Sequence, residues 1–281
     1  MKKPDRMPAG VVLSSLAVAN PLTAMEKAAE MGFTAVEITP PEPRWAEAEG
    51  AAALAVRARR LKFNVCAVSP AFPGENRRNR DVYAATVGLI PAKTRGARLE
   101  AVRQAAALGR PLGTRVLAVS LGTLPSPKNR VAWRGALETA CAAADICRAA
   151  GLSLAIETGP EAPDTLAAFL TETRRRDVGV WFDPGELVRF GSAEPVEALR
   201  VLRKWILGVQ WKDALWPLAA GDIGEETLHG RGAVGLRRFV AALGEIGWKG
   251  PVLIERESGI DRILDLLNAK AVFERTKQEL L

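Results

Sequence analysis

The chain has 281 residues, 48% hydrophobic and 25% charged, proportions of an ordinary folded domain rather than of a disordered or fibrous chain. No apolar run approaches the ~18 residues a bilayer span requires, and the start, MKKPDRMPAGVV, lacks an apolar signal core, so a cytoplasmic protein with no membrane partner is expected. The net charge of +7 raises nucleic acid as a partner, but Arg57/Arg59/Arg60, Arg174/Arg175/Arg176 and Arg237/Arg238 fall on separate predicted helices and read as solvated faces, so nucleic acid is not expected; only ENRRNRD, 75–81, places its arginines in a loop.

In chain order, an apolar strand followed by an amphipathic helix recurs. VVLSS (11–15) precedes PLTAMEKAAEMG, whose Leu22, Met25 and Ala29 share one face. TAVEI (34–38) precedes a helix over 44–60, and NVCAVSP (64–70) precedes a long loop and a helix ending at AAALG. RVLAVSL (115–121) leads to a helix over 130–150, SLAIE (153–157) to TLAAFLTETRR, and VGVWFD (178–183) to EPVEALRVLRK. ILGVQW (206–211) is followed by a second long loop and LRRFVAALGEIG, and PVLIE (251–255) by the final helix. Gly32, Gly151 and Gly247 stand where left-handed caps end helices. Eight such units with near-continuous apolar strands predict a single-domain α/β chain, a (β/α)8 TIM barrel over 1–281, and no GxGxxG follows the first strand to favour an open doubly wound sheet. Cys66, Cys141 and Cys147 form no CxxC pair, so neither a disulfide framework nor a zinc knuckle is expected.

Active sites of such barrels form at the carboxyl ends of the strands. There the sequence offers Glu37, Glu157, Asp183, Gln210 with Lys212 and Asp213, and Glu255. The intervals from 157 to 183 and from 183 to 210 each equal about one strand–helix unit, and the third adds the long loop of 214–233, so the four side chains reach one rim. Three carboxylates and an amide facing one another repel unless a cation lies between them or some are protonated. An all-oxygen set suits one divalent ion, Mg²⁺ or Mn²⁺, with zinc less favoured without His or Cys. Lys212 either holds a substrate oxygen or pairs with Asp213, and pairing is the preferred reading. The long loops, 70–95 and 214–233, both follow strands and lie over the site; the first carries Phe72, Glu75, Arg77, Arg78 and Arg80 as gates, the second Trp216 and HGRG. His229, the only histidine, reads as a surface residue, and Arg231, between two glycines, as a substrate contact.

The order TAVEI, LAIET, WFDPGE, VQWKD, VLIER resembles the sugar phosphate isomerase/epimerase superfamily, the xylose-isomerase-like TIM barrels, over nearly the whole chain. The resemblance implies a metal-dependent isomerase or epimerase with a carbohydrate substrate, either a sugar, a sugar phosphate or a hydroxy-keto acid, acting by proton transfer through an enediolate. By the same resemblance Glu157, Asp183, Gln210 and Glu255 ligate the metal, and Glu157 and Glu255 act as the acid/base pair. Three positions depart from the pattern. Gln210 replaces the His of an HxKD motif, as in hydroxypyruvate-isomerase-like members. Glu186 replaces the His or Asn of DPGH or DPGN, a substrate contact, and Trp216 stands where ketose epimerases place an Arg. A related sugar dehydratase or lyase, and a barrel that has lost catalysis and serves as a ligand-binding or partner subunit, are the alternatives. An endonuclease-IV-like nuclease needs many histidines. Assembly as a homo-oligomer is compatible with all of these readings.

Overall fold

A computed structural model describes residues 6–280. Eight parallel strands, β1 (Ala9–Val12), β2 (Ala35–Ile38), β3 (Asn64–Val68), β4 (Val116–Val119), β5 (Ser153–Glu157), β6 (Val178–Phe182), β7 (Ile206–Trp211) and β8 (Val252–Ile254), pair in sequence order. β8 returns to β1 with Gly10 opposite Leu253, closing the barrel. The (β/α)8 expectation is met by a single barrel.

Strand parity sorts the side chains into two cores. Val11, Val36, Leu117, Leu154, Ile156, Val180, Phe182, Val209 and Ile254 point outward and pack with the helices into the large outer core. Val12, Ala35, Ala67, Ala118, Ala155, Trp181 and Leu253 make a separate inner cluster. Four alanines leave room in the barrel for one large ring, that of Trp181, and Gly208 opposite has no space for a side chain: a Cβ there would lie 1.8 Å from the ring. Continuing the same parity two residues further along each strand gives Glu37, Glu157, Asp183, Gln210 and Glu255. The residues that plug the barrel and those that face its mouth are therefore consecutive layers of one alternation.

The helices follow the expected boundaries closely; Ala48–Arg60, Arg130–Ala149 and Pro163–Thr173 are examples. Gly32, Gly151 and Gly247 have φ of +74°, +79° and +76°, the left-handed conformation expected of helix-ending glycines. Two short helices lie inside segments read as loops. Arg80–Thr86, capped by the Asn79 side chain, sits in the loop after β3, and Pro184–Arg189 begins immediately after β6. The long loops are packed together: Arg80 donates to the carbonyls of Phe190 and, at 3.1 Å, Asp222, while Tyr83 meets Phe190 edge-on at 4.8 Å. Among the described residues no helix is long and apolar enough to cross a membrane.

Candidate active site

The site begins with the residues that close β5 and β6. Asp183 is fully buried and caps the Pro184–Arg189 helix, its Oδ1 accepting from Gly185 N at 2.8 Å and Glu186 N at 3.3 Å. A proline at the first helical position after an Asp cap is a strong local start signal, and it fixes the carboxylate. Thr158, next to Glu157, exchanges two hydrogen bonds with the Asp183 backbone, its hydroxyl accepting from N and donating to O, both at 2.8 Å.

Three of the four predicted ligands keep an oxygen without a hydrogen-bond donor. Asp183 Oδ2, Gln210 Oε1 and Glu255 Oε2 are all buried and unpartnered in this sense. Such an atom costs about 1–3 kcal/mol when nothing compensates it. Three on neighbouring strands, all hard oxygens, fit the donor set of Mg²⁺ or Mn²⁺. Above them Glu157 and Glu255 line a cavity of about 200 Å³, with Glu37, Glu257, Ser14, Thr39, Ser69 and Arg77 among the other lining residues. A wall of carboxyl and hydroxyl groups suits a ligand bearing several hydroxyls.

Burial governs the carboxyls facing this cavity. It pushes Glu157 up to about 8 and Glu37 up to about 7, although the Ser69 hydroxyl donating to Glu37 Oε1 counteracts it. Burial also raises Asp183 to about 6, and it holds Glu255 well above the ordinary range, outweighing Lys212. Glu186 goes the other way: burial raises it, but Lys212, Arg189 and Arg77 together hold it well below the ordinary range. Lys212 chiefly, against burial, lowers Glu257 too. The ionised partners of the three cations are therefore Glu186 and Glu257, while burial favours the protonated forms of Glu157 and Glu255 as long as no divalent cation lies between them; a bound ion would favour their carboxylate forms.

Lys212 does not pair with Asp213. Its side chain, 2% exposed, follows the inward parity of Gln210, and its ammonium lies 2.9 Å from Glu255, 3.1 Å from Glu186, 3.2 Å from Glu257 and 3.5 Å from Asp183. Asp213 faces the opposite way and accepts from the backbone N–H groups of Ala214, Gly230, Gly232 and Val234, pinning both ends of the second long loop. His229 is buried rather than superficial: Nε2–H donates to the Trp211 carbonyl at 2.9 Å and the ring meets Trp211 edge-on. Burial lowers its pKa, so it is neutral.

The other expected contacts divide. Phe72, Glu75 and Arg77 line the cavity, whereas Arg80 holds the loops together. Glu186 is ion-paired to Arg189 at 2.7 Å and to Lys212, and lies outside the cavity lining. Trp216 belongs to a separate surface hollow with Phe190 and Leu218, and Arg231 is exposed and outside the cavity. Glu257, Arg189 and Ser69 are site residues the strand-end reading missed. The signals were present: Glu257 and Ser69 lie two residues beyond Glu255 and Ala67 and so share their face, and Arg189 lies one helical turn past Glu186.

Known proteins bear on this geometry. A solved xylose isomerase domain protein from Planctomyces limnophilus superposes with a TM-score of 0.89 at 24% identity, covering 100% of this chain and 99% of its own. A D-tagatose 3-epimerase-like protein gives 0.75 at 19% identity over 98% and 100%. A xylose isomerase-like TIM barrel protein from Mycobacterium smegmatis, in complex with magnesium, gives 0.68 at 16% identity over 98% of each chain. At these identities the likeness establishes the fold. No functionally curated protein matches the chain. The family model described as xylose isomerase-like TIM barrel matches residues 25–275, nearly the whole barrel, and the chain belongs to that family.

Proposed function

We propose that the protein is a divalent-metal-dependent isomerase or epimerase of a polyhydroxylated carbonyl compound, a sugar or sugar derivative. The observation that carries this reading is the layering of the site: Glu157 and Glu255 line the cavity, and beneath them Asp183 Oδ2 and Gln210 Oε1 are buried oxygens with no hydrogen bond, beside Glu255 Oε2, whose close cation is Lys212. The magnesium complex and the epimerase-like protein among the structural neighbours support the same direction.

Glu157, Asp183, Gln210 and Glu255 would hold the ion. When bound, it supplies Lewis-acid polarisation of the substrate carbonyl and stabilises the negative charge of the enediolate. Glu157 and Glu255, from β5 and β8, act as the proton-transfer pair. One carboxylate removes the proton on the carbon next to the carbonyl. The same group returning it to the neighbouring carbon gives aldose–ketose isomerisation, and the other group protonating the opposite face gives epimerisation. Ser14, Thr39 and Ser69 supply hydroxyls for substrate orientation, and the Phe72 to Arg77 segment closes one side of the cavity.

The test is exchange of the substrate α-proton with deuterated solvent across a panel of ketoses and aldoses, with Mn²⁺ or Mg²⁺ present. Wild type is expected to exchange at least one of them. Glu157→Gln and Glu255→Gln should each lose about 10²–10⁴-fold. No exchange with any sugar, in protein shown to carry the ion, would refute the assignment.

A further inference from the structure

Lys212 is a built-in cation where the family reading calls for an external one. Its ammonium contacts four carboxylates, two of which, Asp183 and Glu255, are expected metal ligands. Yet its hydrogen bond goes to Glu186 Oε1, and the Asp183 and Glu255 oxygens nearest it remain without a donor. The ammonium thus donates to Glu186 while lying between Glu257 and the two expected ligands, Asp183 and Glu255. Among the described residues, no three His, Cys, Asp or Glu side chains gather tightly enough to hold an ion as they stand. They are arranged around the ammonium.

We propose that Lys212 and the divalent ion compete for Asp183 and Glu255, and that Glu186, with Glu257, is the seat to which the ammonium withdraws when the ion enters. This rests on the metal reading given above. Two cations cannot share two carboxylates at these distances without strong repulsion, because burial leaves little water to screen them. Glu186 is fully buried and ion-paired to Arg189, so it is a fixed acid rather than a flexible one. An acid at 186, where the resembling family has His or Asn, thereby acquires a role away from the substrate: it sets how readily the site accepts its ion.

The experiment is Mn²⁺ binding, followed by the electron paramagnetic resonance signal of the free ion, on wild type, Lys212→Met, Glu186→Gln and the double variant. Lys212→Met should bind at least about tenfold more tightly than wild type, because a charge next to two ligands is removed. Glu186→Gln should bind more weakly, and most of that effect should vanish when Lys212 is already Met, the coupling expected of residues acting on one another. Lys212→Gln repeats the charge removal should the methionine variant fold poorly. Equal affinity in wild type and the Lys212 variants overturns the competition while leaving the metal site standing. Binding in none of them, at millimolar Mn²⁺, overturns both.

Discussion

Gln210 offers the sharpest test of the site, because it sets stability against ion binding. Its side chain is 1% exposed, and Oε1 has no donor. Without an ion that oxygen is a liability of about 1–3 kcal/mol, whereas an apolar group of similar size carries none. Gln210→Leu is therefore expected to stabilise the protein in the presence of a chelator by about 1–2 kcal/mol, or roughly 2–4 °C in melting temperature for a chain of this length. The order should reverse with Mn²⁺: wild type gains stability in proportion to the ion bound, and the leucine variant gains little. The assay is a thermal or urea melt of both proteins with chelator and across a Mn²⁺ series. A leucine variant that melts below wild type by more than 1 kcal/mol in chelator would refute the reasoning, since the amide would then have a structural partner.

Asp213→Asn should weaken the anchor of the second long loop, where one carboxylate accepts from four backbone N–H groups; limited proteolysis is expected to cut within 214–233 well before global unfolding, with a stability loss of about 1–3 kcal/mol in a urea melt. Gly208→Ala should cost about 1–3 kcal/mol or more, because the new methyl would meet the Trp181 ring at 1.8 Å; a blue or red shift of tryptophan emission should accompany it, and an unchanged melt would place Trp181 elsewhere. Glu161 is a pH probe outside the site. Partial burial raises its carboxyl toward about 7, so between about 4.5 and 7 the unfolded chain releases a proton the folded chain keeps, and stability falls as pH rises. Glu161→Gln removes that loss, and its advantage over wild type should grow by about 1–2 kcal/mol from pH 5 to pH 8, less than the full shift implies because solvent reaches the group. A gap that stays constant with pH would contradict the burial of that group.

The barrel was legible because its strands are apolar runs of nearly constant spacing, and because Gly32, Gly151 and Gly247 mark where helices stop. The candidate ligands were legible for the same reason: a polar residue ending an apolar run has few places to go in this architecture. What the sequence concealed were partnerships across space. Lys212 and Asp213 are neighbours of opposite charge, and adjacency suggested a pair, yet strand alternation sends them to opposite faces. His229 sits in a Gly-rich loop that looks superficial, and only the fold of 214–233 back onto β7 buries it under Trp211. Glu186 was read by its position in a motif, whereas three surrounding cations determine what it does. Trp216 and Arg231 were drawn toward the cavity by loop membership alone, and neither lines it.

The exchange of hydrogen bonds between Thr158 and Asp183 has a mechanical meaning for the whole rim. A single hydroxyl locks the exit of β5 to the exit of β6, so Glu157 and Asp183 ride on one rigid body. Gln210 and Glu255 are carried by β7 and β8, whose pairing places Gln210 opposite Leu253. β6 and β7 are themselves paired, so the rim is one continuous ladder, and Lys212 reaches across its mouth to Asp183 on one side and Glu255 on the other. The gauge of the site, the width over which two carboxylates can share a cation, is then set by that paired ladder rather than by any ligand alone.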